Sequence, residues 1–278
     1  MPELPEVETV RQGLNQLTLN QGITGGDVLL ARTVAYPFSV GEFVANLQGS
    51  AIKSWYRRGK YLLAELSPHH GWLGVHLRMT GQLLWLNCNE PLHKHTRVRL
   101  FFGDQQELRF VDQRTFGQMW WVPPDVSVEK IMTGLAKLAA DPFAPEFTVE
   151  YLATKLQKSR RPIKTALLDQ SVVAGLGNIY ADEALFKSGI LPTTSCPDLK
   201  PQQIEKLRTA IIQVLEASIA VGGTTFSNFL NVKGVNGNYG GEAWVYNRAG
   251  EPCRVCGNII QRIKLGGRSS HFCSQCQH

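Results

Sequence analysis

The first six residues, Met-Pro-Glu-Leu-Pro-Glu, place a potential nucleophile beside two carboxylates. Met1 followed by proline is a good substrate for removal of the initiator methionine, which leaves Pro2 with a free secondary amine. An amine at a chain terminus has a pKa near ~8, so roughly a tenth of it is neutral at pH 7. Attack of this amine on an electrophilic carbon gives an iminium, whose fixed positive charge withdraws electrons for later elimination steps. Glu3 and Glu6 follow three residues apart.

A helix is predicted to begin directly after this group. Pro5 suits a first helical turn, where a missing N–H costs nothing. An apolar stripe at helical period runs from Val7 to Leu17. The positive end of a helix lowers the pKa of an adjacent amine, whereas nearby carboxylates raise it, so the sign of the net shift at Pro2 stays open. The same residues also fit an ordinary amphipathic helix with acidic residues in its first turn.

Four of the six cysteines form a metal-binding pattern near the C-terminus. Two CxxC pairs are separated by sixteen residues, which is typical of zinc held tetrahedrally by four thiolates. Because protein ligands fill all four positions, we expect one structural Zn²⁺ with no open position for a reacting water. The expected ligands are Cys253, Cys256, Cys273 and Cys276. The two isolated cysteines, Cys88 and Cys196, are expected to be buried structural thiols.

Length, composition and charge indicate a cytoplasmic protein that binds a polyanion. The chain of 278 residues is long enough for two domains, with 43% apolar and 19% charged residues. No apolar run approaches the ~20 residues that span a bilayer, and no signal-peptide pattern opens the chain. We therefore expect no membrane association. The net charge is +6, and residues 222–278 hold six Lys or Arg against two Glu, a net +4, which favours nucleic acid slightly.

Sequence patterns predict an α+β protein whose first part is rich in strands and whose second part is helical. Short β-branched and aromatic segments bounded by turns, with no long helix among them, favour an antiparallel two-layer sandwich. The expected strands are 27–34, 51–57, 61–66, 72–77, 82–86, 96–102, 107–111 and 118–122. Helical patterns follow at 127–138, 149–156, 163–169 and 202–221. Between the cysteine pairs, 259–265 and the turn Gly266-Gly267-Arg268 predict a β-hairpin.

Two further segments could approach a phosphate or a ligand. Gly175-Leu176-Gly177 precedes a helix for which Asn178 is the expected N-cap, and a helix N-terminus can bind an anion. A plain capped helix explains the same pattern. Residues 224–241 are rich in Gly, Asn and aromatic residues, without a period, and are predicted to be a mobile loop.

Residues 1–9 resemble the opening of the formamidopyrimidine-DNA glycosylase family, bacterial enzymes that remove oxidised purines from DNA. The resemblance continues in order to residue 277 and is most specific at this opening and at the four cysteines. It implies a β-sandwich catalytic domain at 1–133, a helical DNA-binding domain with a helix–two turns–helix motif at 134–240, and a zinc finger at 241–278. The implied partner is double-stranded DNA containing oxidised purines, bound by a monomer.

The resemblance also implies a catalytic mechanism. Pro2 attacks C1′ of a flipped nucleotide carrying 8-oxoguanine or a formamidopyrimidine, and Glu3 assists opening of the sugar ring by proton transfer. Glu6 helps to organise the site, and Lys60 binds phosphate beside the lesion. The base leaves, and the iminium drives β,δ-elimination of both phosphates. Lys60 lies in a basic turn that could equally be a solvated hairpin.

The remaining residues implied by the resemblance contact DNA. His76 lies near the phosphates, Met79 fills the gap left by the flipped base, Arg114 reads the orphaned cytosine, and Phe116 wedges beside it. Arg114 and Phe116 flank one residue, so they point the same way if the strand is extended. The alternatives are a core histidine, a core methionine, and a cross-strand charge with a core phenylalanine. The implied contacts to the DNA backbone are Lys164, Asn178 and Arg268.

One position departs from the family pattern, and two other functions stay open. Ser227 stands where many members carry a basic residue, which puts a cationic contact to the lesion in doubt.

The sister class that removes oxidised pyrimidines usually has Gly where Leu4 stands. A protein that keeps Met1, or whose Pro2 amine is blocked, would be a non-catalytic, zinc-containing DNA-binding protein.

Overall fold

The computed structural model describes residues 1–68, 71–224 and 229–278. The chain divides into two compact units, the first formed by Met1–Ala136 with Gly222–Asn238 and the second by Lys137–Val221 with Tyr239–His278. The sequence prediction assigned segments to domains in chain order and therefore grouped 222–238 with the helices. In the structure, Phe229 and Val232 of this segment belong to the hydrophobic core of the first unit.

The first unit contains α1 to α3 and β1 to β9. Its helices are α1 (Leu4–Leu17), α2 (Val40–Leu47) and α3 (Val128–Ile131). Its strands are β1 (Ile23–Val28), β2 (Val34–Tyr36), β3 (Ala51–Arg58), β4 (Tyr61–Ser67), β5 (Trp72–His76), β6 (Gly81–Asn87), β7 (Thr96–Phe102), β8 (Gln106–Asp112) and β9 (Gln118–Val122).

These strands form two sheets that share one core, as the predicted β-sandwich requires. One sheet has the order β1-β7-β8-β6 and the other β2-β9-β5-β4-β3. Val98 and Phe110 from the first sheet and Trp55 and Val75 from the second lie in the same hydrophobic cluster. Seven of the eight predicted strands match an observed strand within a few residues, because alternating apolar residues fix which strand face is buried. The pairing is antiparallel throughout these sheets except between β2 and β9, which are parallel.

The predicted opening helix is confirmed as α1, and its apolar stripe (Val7, Val10, Leu14) is buried in the sandwich core. The predicted strand 27–34 is wrong. β1 ends at Val28, a 3₁₀ turn covers Ala31–Thr33, and β2 starts at Val34. Helix α2 was missed because only eight residues carry its pattern; Ser39 caps it by accepting the Glu42 amide at 3.3 Å.

The second unit contains four helices and the hairpin among the residues described. They are α4 (Val149–Gln157), α5 (Ile163–Leu167), α6 (Asn178–Ser188), α7 (Pro201–Ala220), β10 (Gln261–Leu265) and β11 (Arg268–Phe272). The predicted hairpin is confirmed, with Leu265 paired to Arg268 across the turn. The prediction that Asn178 is an N-cap is wrong, because Gly177 caps α6 and Asn178 is its first helical residue. Within the described ranges, no helix has the length and apolar character needed to cross a bilayer.

Candidate active site and zinc centre

The N-terminus of α1 buries two carboxylates next to Pro2. Glu3 is the N-cap, and its side chain accepts the amide of Glu6, while the Glu3 amide donates to Glu6 Oε2 at 2.8 Å. This capping box satisfies helix N–H groups that would otherwise lack partners. Pro2, Glu3 and Glu6 are all buried. The positive end of the helix dipole favours carboxylates at this position, so the sequence Glu-Leu-Pro-Glu fixes both acids beside the chain terminus.

The two carboxylates differ in their partners. The second oxygen of Glu6, Oε1, accepts the Thr224 amide at 2.9 Å. Gly223 has a φ of +85°, and a Cβ at that position would lie 3.0 Å from Glu6 Oε1, so glycine permits this approach. Glu6 therefore joins the start of α1 to the segment after α7 through both of its oxygens. Both carboxylate oxygens of Glu6 thus accept backbone amides.

The sign of the shift at the Pro2 amine stays open, but the amine of Met1, which precedes Pro2 in the structure, shows how burial and charge act at this place. The pKa of the Met1 amine lies below 8.0 because burial disfavours the ammonium form. Glu3 and Glu6 oppose this shift, whereas Lys60 and Arg114 reinforce it. Lys60 is itself buried in the turn after β3. The fold thus brings Lys60, both glutamates and the N-terminus together, and burial lowers the pKa of the Met1 amine despite the two carboxylates.

Pro2 lines a cavity of about 570 Å³ in the first unit. Met79, Gln82, Gln113 and Phe229 form other parts of its wall. This volume lies in the range of small-molecule sites, about 300–1,000 Å³, and suits a nucleotide removed from the base stack. A basic segment, His93-Lys94-His95, also lines the cavity. Sequence reasoning missed that segment, although two histidines flanking a lysine were a visible signal.

His76 is held as a neutral donor at the end of β5. Its Nδ1 accepts the Arg78 amide at 3.0 Å, so the proton of the neutral ring lies on Nε2. The ring packs edge-on against Tyr61, with centroids 4.4 Å apart. Burial, followed by the charges of Arg78 and Lys60, lowers the pKa of His76 to about 3.

This shift predicts a pH-dependent contribution of His76 to stability. Its folded-state pKa lies below the ordinary 6.5, so the stability is fully present above pH 6.5 and is lost as the pH falls towards 3. We expect wild type to lose up to about 2 kcal/mol more unfolding free energy than His76→Phe between pH 7 and pH 5. Urea unfolding at both pH values measures this, with His93→Phe as an exposed control. Equal losses in wild type and His76→Phe would refute the expectation.

Met79 and the Arg114–Phe116 segment are tied together by Asp112. Met79 lies in the turn between β5 and β6. The Thr80 hydroxyl donates to Asp112 Oδ1 at 2.5 Å and accepts the Arg114 amide at 2.9 Å. Asp112 Oδ2 accepts the Gly117 amide at 2.7 Å. Asp112 was missed from the sequence because its importance depends on cross-strand partners.

The side chains of Arg114 and Phe116 are in contact, but the backbone between them does not have the predicted extended conformation. The segment is not extended, because Thr115 has a φ of +57°. This left-handed residue places the Arg114 guanidinium over the Phe116 ring, 4.9 Å from its centroid. Phe116 is 52% exposed, which rules out the alternative of a core phenylalanine. An exposed aromatic–cation pair is therefore presented beside Met79's turn.

Lys164 lies inside the second unit rather than on its surface. It is 1% exposed, its Nζ lies 2.6 Å from Asp182 Oδ1, and it donates to the Ser269 carbonyl at 2.6 Å. The same carbonyl accepts Asn178 Nδ2 at 3.1 Å. Asp182 Oδ2 also accepts the His271 amide at 2.9 Å. These bonds fix the β10–β11 hairpin on α5 and α6. Asp182 was not identified from the sequence. Two adjacent acids, Asp182 and Glu183, within an otherwise apolar helical segment were the feature that could have pointed to it.

Removal of the Asp182 charge is expected to destabilise the second unit strongly. Asp182→Asn leaves the Lys164 ammonium buried without its counter-charge, which typically costs about 3–5 kcal/mol. Denaturant unfolding measures the loss, and Asp198→Asn is a control at an exposed acid. Lys164→Met combined with Asp182→Leu should recover much of the stability, because both members of the buried Lys164–Asp182 ion pair are then replaced by apolar side chains. A change below about 0.5 kcal/mol for Asp182→Asn would contradict this account.

Arg268 is exposed at the start of β11, beside the Gly266-Gly267 turn. Arg262 on β10 donates to the Ser269 hydroxyl at 2.8 Å. Asn178 Oδ1 is buried and has no hydrogen-bond partner among the described residues. The hairpin therefore presents an exposed guanidinium, which suits phosphate recognition.

The four predicted zinc ligands come together at the C-terminal end of the second unit. Their sulfur atoms all lie within 4.8 Å of one another. Two of the separations are 3.9 Å (Cys253 to Cys276) and 3.5 Å (Cys256 to Cys273). Tetrahedral zinc with bonds of ~2.3 Å requires sulfurs about 3.8 Å apart, and these two separations lie close to this value.

Comparisons with known proteins agree with this geometry. The model of the formamidopyrimidine-DNA glycosylase N-terminal domain matches residues 1–119, and that of the H2TH domain of the same enzyme matches 138–229. A model of the zinc finger found in FPG and IleRS matches 250–278. A formamidopyrimidine-DNA glycosylase of Nostoc punctiforme is 82% identical over 100% of this chain and 96% of its own length. The chain belongs to the formamidopyrimidine-DNA glycosylase family.

Solved structures of this family share the fold. A Lactococcus lactis FPG variant in complex with Fapy-dG-containing DNA matches with a TM-score of 0.91 and 35% identity, covering 100% of both chains. MutM in complex with DNA containing carbocyclic 8-oxo-G matches with a TM-score of 0.89 and 35% identity, again over 100% of both chains. The two-domain α+β prediction and the prediction of one structural zinc on the four cysteines are thereby confirmed. Ser227 lies outside the described residues.

Proposed function

We propose that this chain is a bifunctional DNA glycosylase and abasic-site lyase that initiates base-excision repair of oxidised purines. The observation that carries the proposal is the buried Pro2, placed next to Glu3 and Lys60 at the edge of a nucleotide-sized cavity. Relatives with the same fold bind DNA containing Fapy-dG and 8-oxo-G. The proposed substrates are 8-oxoguanine opposite cytosine and formamidopyrimidines in double-stranded DNA.

The chemistry begins after removal of Met1. The lone pair of the Pro2 nitrogen attacks C1′ of the lesion nucleotide, and Glu3 gives a proton to the sugar-ring oxygen as the ring opens. The base leaves with the electrons of the glycosidic bond and takes up the proton that the Pro2 nitrogen gives up, and an iminium joins Pro2 to C1′. Its positive charge promotes loss of the 3′ phosphate and then of the 5′ phosphate. Burial lowers the pKa of the Met1 amine, and this supports the role because the same surroundings would favour the neutral form of the Pro2 amine.

Residues of the first unit open the duplex and hold the lesion. Met79 fills the space of the flipped nucleotide, a known use of apolar side chains between base steps. Arg114 reads the cytosine, and Phe116 wedges beside it; the tie between Asp112 and Thr80 sets the distance between Met79 and this pair. Lys60 binds the phosphate beside the lesion, and His76 Nε2 donates to a neighbouring phosphate.

Residues of the second unit hold the DNA backbone. Arg268 is exposed and supplies charge to phosphate, and Asn178 contributes its amide. Lys164 was predicted from the family resemblance to contact phosphate. Its burial and its bonds to Asp182 and Ser269 instead support a positioning role, in which it fixes the strand that carries Arg268. The zinc supports the same hairpin. We further propose that the protein acts as a monomer in the bacterial cytoplasm, because one protein suffices for one lesion.

Borohydride trapping tests the proposed function. Duplexes carrying 8-oxoguanine opposite cytosine, 5-hydroxycytosine opposite guanine, or no lesion are incubated with the mature protein. The proposal predicts a covalent adduct and a one-nucleotide gap, fastest with 8-oxoguanine and absent without a lesion. Faster cleavage at 5-hydroxycytosine would favour the oxidised-pyrimidine class. Binding without adduct or cleavage, in protein whose mass shows that Met1 is absent, would favour a non-catalytic DNA-binding protein.

A further inference from the structure

A second cavity, of about 510 Å³, lies beside the zinc centre in the second unit. Phe186 at the end of α6 and Trp244 form an aromatic wall, with ring centroids 5.9 Å apart and planes inclined by 21°. Val255, between two zinc ligands, forms another wall. Trp244 is 39% and Val255 65% exposed. Large apolar groups left accessible in one concave site are a feature of binding surfaces.

Two lysines give this apolar cavity a positive rim. Lys187 follows Phe186 on α6, Lys206 lies on α7, and both are exposed. Neither lysine makes an ion pair with a described residue, and no acidic side chain is among the described residues that line the cavity. The site therefore combines apolar walls with two uncompensated cations.

The site lies at the opposite end of α6 from the proposed phosphate contact. Asn178 begins this helix of eleven residues and Ser188 ends it, a length of about 16 Å at 1.5 Å per residue. Ser188 and Gly189, at the C-terminal end of the helix, line the cavity. An occupant of the cavity would therefore leave Asn178 and the Gly266-Gly267 turn accessible to DNA.

We propose that this cavity docks an acidic segment of a partner protein, with one aromatic side chain of that segment packed against Trp244. The two lysines select carboxylates on either side of the inserted residue by charge complementarity. A phenyl ring suits the cavity because it has no polar edge. A nucleobase would bury hydrogen-bonding groups against Phe186, Trp244 and Val255, which costs free energy when they lack partners. The chemistry of the walls therefore favours a peptide over single-stranded nucleic acid.

Fluorescence anisotropy with the full-length, zinc-loaded protein tests this proposal. The probe is a labelled short peptide of Asp and Glu with one central Phe, and the same peptide with Ala in place of Phe is compared with it. We expect saturable binding of the Phe peptide and at least about tenfold weaker binding of the Ala peptide. Equal affinity for both peptides would overturn the proposal, because the apolar walls would then contribute nothing.

Variants of the rim and the wall locate the site. Lys187→Glu with Lys206→Glu changes only exposed residues, and Trp244→Ala leaves the backbone amide that donates to Glu183 in place. Each variant should weaken peptide binding by at least about tenfold and leave lesion cleavage unchanged. Lys137→Glu with Lys158→Glu is the matched control, since it makes the same charge change at two exposed lysines outside the cavity. Loss of peptide binding in this control as well would refute a local site.

Competition separates this site from the DNA-binding surface. A saturating duplex that contains an abasic-site analogue should leave the peptide affinity unchanged. Displacement by the duplex would mean that the acidic peptide merely mimics DNA, and displacement by a short oligothymidine alone would mean that the cavity binds single-stranded nucleic acid. Either result contradicts the proposal. Because cleavage is measured separately, failure of peptide binding would not affect the proposed enzymatic function.

Discussion

Replacing Pro2 with Gly should remove most of the borohydride-trapped adduct on duplex DNA containing 8-oxoguanine. Glycine leaves a primary amine, whose neutral imine must gain a proton before it withdraws electrons, whereas the secondary amine of proline gives an iminium directly. Glycine also loses the ring that restricts the backbone beside the α1 capping box. We expect the single-turnover rate of adduct formation to fall by about a hundredfold or more, at least about 2.7 kcal/mol in activation free energy.

A proline from the same segment provides the matched control. Pro5→Ala removes the other proline of the first helical turn but keeps the Pro2 amine, so its adduct should form at nearly the wild-type rate. Intact mass must show that Met1 is absent from each protein, since a retained methionine would block the nucleophile. If Pro2→Gly trapped DNA as fast as wild type, the nucleophile would have to be another group, and Lys60 would be the first candidate.

Replacing Cys273 with Ala should unfold the zinc finger and abolish tight DNA binding. The small core around the metal site includes Phe186, Val245, Cys253, Ile260 and Cys273, too few side chains to stabilise the hairpin by apolar burial alone. Zinc binding to sites of this kind supplies about 10–16 kcal/mol of folding free energy. Loss of one thiolate should release the metal and free the β10–β11 hairpin, which carries Arg268. We expect affinity for lesion-containing DNA to fall by about a hundredfold or more.

Zinc content, circular dichroism and DNA binding together measure this effect. Cys88→Ala is the control, because Cys88 lies on the first unit, outside the metal cluster. Chelation of zinc from wild type should give the same loss as Cys273→Ala, while the first unit keeps its sheet signal. DNA affinity that survives complete zinc removal would show that the hairpin folds without metal and that apolar packing suffices.

The sequence by itself determined the zinc ligands near one end of the chain and the class of fold, and it predicted a nucleophile at the other end. The Pro-Glu opening and the two CxxC pairs are local patterns, so their meaning can be read without knowing what lies next to them in space. The apolar stripe of α1 and most strands were also predictable, because burial of one face imposes a period on the sequence. The short α2 and the parallel β2 were not, since too few residues carry a period there.

The tertiary structure decided what each polar residue does. Glu6 is held through both of its oxygens only because it meets the Thr224 amide, 218 residues away in the chain. Lys164 is buried only because Asp182 and Ser269 surround it, and Arg114 meets Phe116 through the left-handed backbone of Thr115. The pKa of a terminal amine is lowered by burial and raised by nearby carboxylates. The spacing of residues in the sequence does not reveal which effect is larger. Such contacts join distant segments, and local periodicity therefore cannot encode them.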